Sequence, residues 1–405
     1  MRLLKHVLII VVLLTGPLAS AQLLQVKEGK NAIVKEEPTG NGNHITRLEA
    51  GTQVANLGST DRYYFIQLND GRTGYSYKGN YIEVEGSTAG FPSSTQITKE
   101  NLLIRKDVLK IVVIDVEVGD ATLIICPVEN GERDVILIDT GVNDADRIKE
   151  ELISNGFTLA NSPINRFFAT HYDRDHIGDA EKIAPLTKVV YDLGGPIKQY
   201  PKTTSFLDRR TITLNYEETF SGGVTIECVA ANNATDFEPN RVKDKDKNTN
   251  SIALIVSYNG FDYFTAGDLT ISPEKSLASG IRDCDVYHVN HHGSSVTSSY
   301  SEFIEKLNPE VSVVSNGHLF NHPTDVVAQR IIATGSKFFQ TNINPDDKAH
   351  HPNYKYIGDN TYHAKSKDEN AEGATGSINV VVGDDNYYVV MPQLPLEEGT
   401  FLIER

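Results

Sequence analysis

From Val108 onward, continuous apolar runs alternate with polar turns that carry glycine. The runs VLKIVVIDV, ATLIICPV, DVILIDTG, NRFFATH, KVVYDLG, SIALIVSYNGFDYFTAGD, CDVYHVNHHG and EVSVVSNG read as buried strands. Between them NDADRIKEELISNGF, GDAEKIAPL, SEFIEKLNPE and PTDVVAQRIIATG place apolar residues at helical spacing. Buried strands with interspersed helices predict a layered α/β domain. Polar, potentially reactive residues recur just past the strand ends, where ligand sites of such folds collect. No internal repeat is visible.

The rhythm before Val108 is different. Over residues 22–86, short alternating runs are separated by turn signals, with Asn69-Asp70-Gly71 as a hairpin turn. The pattern predicts a small all-β barrel. At GTQVANLG, YYFIQLNDGRTGYSY and GNYIEV it resembles a bacterial SH3-like domain, which implies attachment to cell wall or another surface component. GSTAGFPSSTQITKEN opens a linker over residues 87–107. At the other end of this region, Arg2 and Lys5 precede an apolar run from Val7 to Leu14 and the small residues Ala19-Ser20-Ala21. Residues 1–21 therefore read as a signal peptide, too short to anchor as a span. The mature chain is expected to be secreted or periplasmic, with no lipid-bearing cysteine at the cleavage site and no transmembrane segment.

Composition changes this picture little. Hydrophobic residues make up 39% and charged residues 23%, ordinary for a globular chain. The net charge of -16 argues against coating a polyanion over the whole surface. It leaves a phosphate-bearing substrate open, because carboxylates that hold cations count as negative in a sequence tally. Cys126, Cys228 and Cys284 are too few for a disulfide framework, and Cys126 and Cys228 sit in strand-like runs as expected of buried thiols.

The histidines carry the chemical signal. Apart from His6 and His44, all lie between His171 and His363, and seven fall in three turns after apolar runs. In HYDRDH the donors are His171, Asp173, Asp175 and His176. That spacing lets one tight loop serve two adjacent cations, given a carboxylate to bridge them. Asp268, at the end of the run YFTAGD, suits the bridge. NHHGS adds His291 and His292, and NGHLFNHP adds His322. Mixed imidazole and carboxylate donors suit zinc, manganese or iron. His288 alternates within a strand and reads as structural. RVKDKDKNTNS from Arg241 reads as a solvated loop, with steering of a substrate phosphate as the alternative. The insertion over residues 346–373, with His350, His351 and His363, reads as an exposed ornament or a lid.

HxDxDH followed by glycine, IDTG, NTNSIALIV…FTAGDL and HHGS together resemble the metallo-β-lactamase fold, and within it the extracellular domain of ComEC competence proteins. The resemblance covers roughly residues 108–392. It implies a four-layer αβ/βα sandwich in a hydrolase domain over 108–405. It also implies a metal-activated hydroxide that attacks an ester, often a phosphodiester. Carried over by position, His171 and Asp173 hold a first metal, Asp175 and His176 a second, and Asp268 touches both. His292 is assigned to the second metal and His291 to the substrate phosphate, with the reverse assignment open. His322 contacts the substrate or leaving group, Asp175 receives the proton of the attacking water, and Asp139 supports the metal loop.

Two departures matter. Asp173 stands where many members of the broader fold carry histidine; ComEC-like branches also carry aspartate there, which narrows the resemblance to that branch. No histidine lies between Ile177 and Gly267, so the lone middle histidine of the broader fold is absent and the count of one or two ions stays open. The ComEC-like GQGD turn keeps only Gly119 and Asp120. The expectation is a secreted Zn²⁺- or Mn²⁺-dependent phosphodiesterase or nuclease, with a phosphoester substrate and nucleic acid among the candidates. The alternatives are a phosphorylcholine-type esterase, a lactone, thioester or β-lactam hydrolase, and a surface-binding protein with a vestigial metal site.

Overall fold

The computed structural model describes residues 22–35, 44–59, 62–68, 73–84, 99–195, 208–316, 322–341, 361–363, 376–383, 386–391 and 400–403. The chain divides into two compact units between Ile97 and Thr98. The segment read as a signal peptide, the turn at Asn69-Asp70-Gly71, His318 and nearly all of the 346–373 insertion lie outside the described residues.

The first unit is a seven-stranded sheet paired antiparallel throughout. Tyr63–Gln67 and Thr73–Tyr77, on either side of the expected hairpin turn, pair directly. Its core is Leu24, Val26, Ala32, Val34, Val54, Ile66, Leu68 and Tyr81. Alternation decides which residues enter it: Ala32 and Val34 are buried while Ile33 between them is exposed.

The second unit starts earlier than the sequence suggested. Part of the expected linker is a helix, Lys99–Ile104, because Leu102 has an apolar partner surface in Val381, Tyr388 and Val390. Beyond it lie two large mixed sheets. One runs in the order Arg209–Thr211, Thr187–Asp192, Ile164–Phe168, Val135–Ile138, Thr122–Ile125, Leu109–Val113, Ile378–Val382, Asn386–Val390 and Thr400–Leu402. The other runs from Glu217–Phe220 through Val224–Ala231, Ala253–Tyr258, Phe261–Thr265, Val286–His288, Val311–Val314 and Lys337–Gln340 to Thr361–His363.

Side-chain alternation builds four layers from these sheets. Ile111, Val113, Ile124 and Ile136 point to the face shared with Ile226, Leu254, Val256, Tyr263 and Val313. Their neighbours Val112, Leu123, Ile125 and Leu137 point the other way, onto Ile148 and Leu152 of the helix Ala145–Ser154. On the second sheet Phe264 and Tyr287 face outward onto Phe303 and Ile304 of Ser301–Leu307 and Val327 and Ile331 of Asp325–Ile332. Strands covered on both faces must be apolar on both, which is why their sequence reads as unbroken runs. Each such fully buried side chain contributes about 1.5–3 kcal/mol of transfer free energy. The three cysteines are buried and unbonded.

Half of each sheet is parallel. Val135–Ile138, Ile164–Phe168 and Thr187–Asp192 run together in the first sheet. Phe261–Thr265, Val286–His288 and Val311–Val314 run together in the second. The turns that carry Asp139, His171 to His176, Asp268 and His291-His292 each follow one of these parallel strands.

Candidate metal centre

Asp139 follows Val135–Ile138, and the loop from His171 follows Ile164–Phe168. Asp268 follows Phe261–Thr265, the turn Asn290–Gly293 follows Val286–His288, and Ser315 follows Val311–Val314. Parallel pairing sets these ends side by side, so donors far apart in sequence converge.

Asp268 is buried and central, and its two oxygens face different neighbours. Oδ1 lies 3.0 Å from His176 Nε2 and 3.6 Å from His292 Nε2. Oδ2 lies 3.6 Å from His171 Nε2 and 3.4 Å from His291 Nε2. Asp175 Oδ2 is 3.7 Å from His292 Nε2, and Asp173 Oδ2 is 3.9 Å from His171 Nε2. Among the described residues, His171, His176 and Asp268 form one group with donor atoms close enough for a shared cation, and Asp175, His176 and His292 form another.

His171 Nε2, His176 Nε2, His292 Nε2 and Asp268 Oδ1 are buried and make no hydrogen bond, even where two of them approach closely. An unsatisfied buried imidazole nitrogen or carboxylate oxygen costs about 1–3 kcal/mol or more. Three such nitrogens around a carboxylate with an unsatisfied oxygen of its own suit a divalent cation, so the residues fit a metal.

Their orientation is fixed from behind. His176 Nδ1 donates to Asp139 Oδ2 at 2.7 Å, and Thr170 donates to the same carboxylate through N at 2.8 Å and Oγ1 at 2.6 Å. His292 Nδ1 donates to the Ser315 carbonyl at 2.9 Å. Each bond leaves the Nε2 lone pair facing Asp268. His291, His292 and Gly293 have φ of 50°, 51° and 83°, and the left-handed region costs a non-glycine residue roughly 1–2 kcal/mol. The turn is held by His291 N donating to the Gly267 carbonyl at 2.9 Å and by Asn290, which donates to buried Glu274 at 2.8 Å. Thr297 Oγ1 pairs with His291 Nδ1 at 2.7 Å.

Electrostatics follow from this crowding. Burial, with the charge of His176, pushes His171 down to about 3. Burial opposes ionisation of Asp268, but the imidazoles of His176, His292 and His171 outweigh it and hold the carboxyl well below the usual range. His176 is raised well above the ordinary value by Asp268 and Asp139 against its burial, and His292 rises to about 9 through Asp268 and Asp175 against the same penalty. Burial raises Asp139 to about 6 despite His176. The cradle thus attracts positive charge.

The His322 ring lies 6.2 Å from that of His291, beside the cradle. Asp120 is buried and accepts from Ser315 Oγ at 2.9 Å. His288 is buried and pairs with Tyr263 OH at 2.9 Å and Ser315 Oγ at 3.1 Å, on the sheet-facing side. Gly119 has φ of 98°, and a Cβ there would overlap the Asp175 carbonyl. Only glycine permits that approach.

The family model of the Metallo-beta-lactamase superfamily matches residues 114–318, half of the chain. The chain belongs to this superfamily. It is homologous to competence proteins: 27% identical over 259 residues to ComE operon protein 3 of Bacillus subtilis (strain 168), covering 57% of this chain and 31% of that protein. It is 35% identical over 116 residues to Competence protein ComA of Neisseria gonorrhoeae, covering 27% and 17%. The chain therefore spans less than a third of the length of either relative. Among solved structures, the metallo-beta-lactamase fold protein YhfI of Bacillus subtilis aligns at 14% identity with a TM-score of 0.40, over 58% of this chain and 96% of that one.

Several residues of this metallo-beta-lactamase site were not singled out from the sequence: Thr170, Ser315, Glu274, Lys247 and Asn248. Thr170 neighbours the motif and was findable. Lys247 and Asn248 fall in stretches read in the sequence for charge and motif, but their contacts, like those of Ser315 and of Glu274 in the helix Ile271–Leu277, arise from long-range packing that no local pattern encodes. The charged stretch after Arg241 is exposed over Val242–Lys247, as expected of a solvated loop, but its end is not free of the site. Lys247 Nζ pairs with Asp173 Oδ1 at 2.7 Å, and Asn248 Nδ2 donates to Asp268 Oδ2 at 3.3 Å.

Proposed function

We propose that the second unit is a metal-dependent phosphodiesterase or nuclease. The observation that carries the metal part is the ring of unpartnered donors around Asp268. His171, Asp173 and Asp268 would hold one ion, and Asp175, His176, His292 and Asp268 the other, as Zn²⁺ or Mn²⁺. When bound, such an ion supplies Lewis acidity and lowers the pKa of coordinated water.

The chain's own groups account for the rest. Asp139 and the Ser315 carbonyl hold the imidazoles of His176 and His292 in the tautomer that offers Nε2. His291 and His322, whose rings lie 6.2 Å apart, would donate hydrogen bonds to phosphoryl oxygens. Asp175, half-buried beside His292, would accept the proton of the attacking water. Burial acts against its ionisation, but His292 and His176 keep it a carboxylate. Lys247 adds a cation at the rim, in keeping with an anionic substrate. Similarity to proteins named for competence is in keeping with nucleic acid as that substrate.

The first unit is proposed as an SH3-like module for cell wall or another surface component, and residues 1–21 as the signal that exports the chain. The deciding experiment strips the protein with a chelator and assays bis-p-nitrophenyl phosphate and single-stranded DNA, then restores Zn²⁺ or Mn²⁺. Activity should vanish and return. Full activity after complete metal removal, or activity on nitrocefin without any on phosphodiesters, overturns the proposal.

A further inference from the structure

The first metal position lacks the middle histidine of the broader fold, and the loop ending in Asn248 stands in the gap. Asn248 Nδ2 lies 3.3 Å from Asp268 Oδ2 and 3.4 Å from His291 Nε2, both on the side where His171 Nε2 also points. Its neighbour Lys247 puts a cation 2.7 Å from Asp173 Oδ1, the remaining carboxylate of that position. Consecutive residues of one loop therefore touch both acids assigned to the first ion.

This loop is built rather than solvated at its base. The buried Asn250 accepts from Asp244 N at 2.8 Å and donates to the carbonyls of Asp244 at 2.9 Å and Asp246 at 2.6 Å. Thr249 Oγ1 pairs with Thr270 Oγ1 at 2.8 Å, just past Asp268. These bonds fix the short turn Asn248–Asn250 against the cradle, so the Asn248 amide is aimed before any ligand arrives. An amide presents nitrogen to acceptors and oxygen to a cation, and a half-turn about its last bond exchanges the two.

We infer that Asn248 is an oxygen donor of the first metal position, in place of a histidine, and that Lys247 is a resident cation which that metal must displace from Asp173. The inference rests on the metal-centre reading above. The two residues act with opposite sign: Asn248 favours occupancy of the first position, and Lys247 opposes it. The second position, made of Asp175, His176, His292 and Oδ1 of Asp268, meets neither residue directly, because Asn248 bonds the other oxygen of Asp268, and it binds more tightly.

The test is a titration of the full chain with Mn²⁺, read by calorimetry and by the electron paramagnetic resonance signal of free Mn²⁺. Wild type should take up a tighter and a weaker ion. Asn248→Ala should weaken the weaker ion at least about tenfold and leave the tighter one unchanged, as for loss of a donor or its close partner. Lys247→Ala should tighten the weaker ion, and Asn248→His should tighten it too by supplying an imidazole. Should Asn248→Ala not fold, Asn248→Asp keeps the oxygen and adds charge, and should tighten that ion. Affinities within about twofold of wild type in these variants overturn the inference while leaving the metal centre standing. A chain that binds no Mn²⁺ or Zn²⁺ overturns the metal-centre reading with it.

Discussion

Asp139→Asn separates the support of the metal centre from the support of the fold. The carboxylate is fully buried and accepts from Thr170 N, Thr170 Oγ1 and His176 Nδ1. Asparagine has the same shape but one acceptor oxygen, so its amide nitrogen must meet either Thr170 or His176. A hydrogen bond to a charged group contributes about 1.5–3 kcal/mol and a neutral one about 0.5–1.5, so the His176 bond weakens by about 1 kcal/mol even if the ring keeps its place. If the ring turns, the loss reaches the 10–100-fold in metal affinity typical of a supporting carboxylate, roughly 1.4–2.7 kcal/mol. Stability should move less. Burial already pushes Asp139 up to about 6, so removing the charge relieves a desolvation cost while it loses a bond. Competition for Zn²⁺ against a chromophoric chelator measures the affinity, and thermal melts of the metal-free protein measure the fold. Unchanged Zn²⁺ affinity, or an affinity loss matched by collapse of the metal-free melt, refutes the reasoning.

Other consequences can be checked in the same preparations. Saturating Zn²⁺ at about 100 times Kd should stabilise wild type by about 2.7 kcal/mol, and Asp268→Ala should abolish the thermal shift because it removes the carboxylate that both positions share. Gly119→Ala should destabilise by at least about 2 kcal/mol, since its φ of 98° and the Asp175 carbonyl leave no room for a Cβ; a wild-type melting temperature would contradict this. Glu274 is raised to about 7 by burial, against hydrogen bonds from Tyr300, Asn290 and Ser299. Between its unfolded value and pH 7 the unfolded chain ionises while the folded one keeps the proton, so stability falls as pH rises and levels off above. Wild type should therefore lose on the order of 3 kcal/mol relative to Glu274→Gln between pH 5 and pH 8. A pH-independent difference in their melts would count against it.

Much of this molecule is written locally. Unbroken apolar runs such as Val135–Ile138 announce strands covered on both faces, because a residue pair alternating in and out must then be apolar twice. Runs of donors such as HYDRDH announce a candidate metal turn, because nothing in a core or a solvated loop requires two imidazoles and two carboxylates within six residues. The hairpin Ile378–Val382 with Asn386–Val390 and the helix Lys99–Ile104 were missed. Its buried residue Leu102 packs on Val381, Tyr388 and Val390, almost 300 residues away.

Short windows of sequence carried the type of most elements, the superfamily's motifs and a set of candidate donors. Tertiary structure alone decided which oxygen of Asp268 faces which histidine, that His292 backs onto the Ser315 carbonyl, and that Lys247 and Asn248 reach the cradle. The physical reason is that parallel pairing brings together strand ends separated by long crossovers. Such contacts depend on register and on the path of the returning loop, and neither leaves a local periodicity to read.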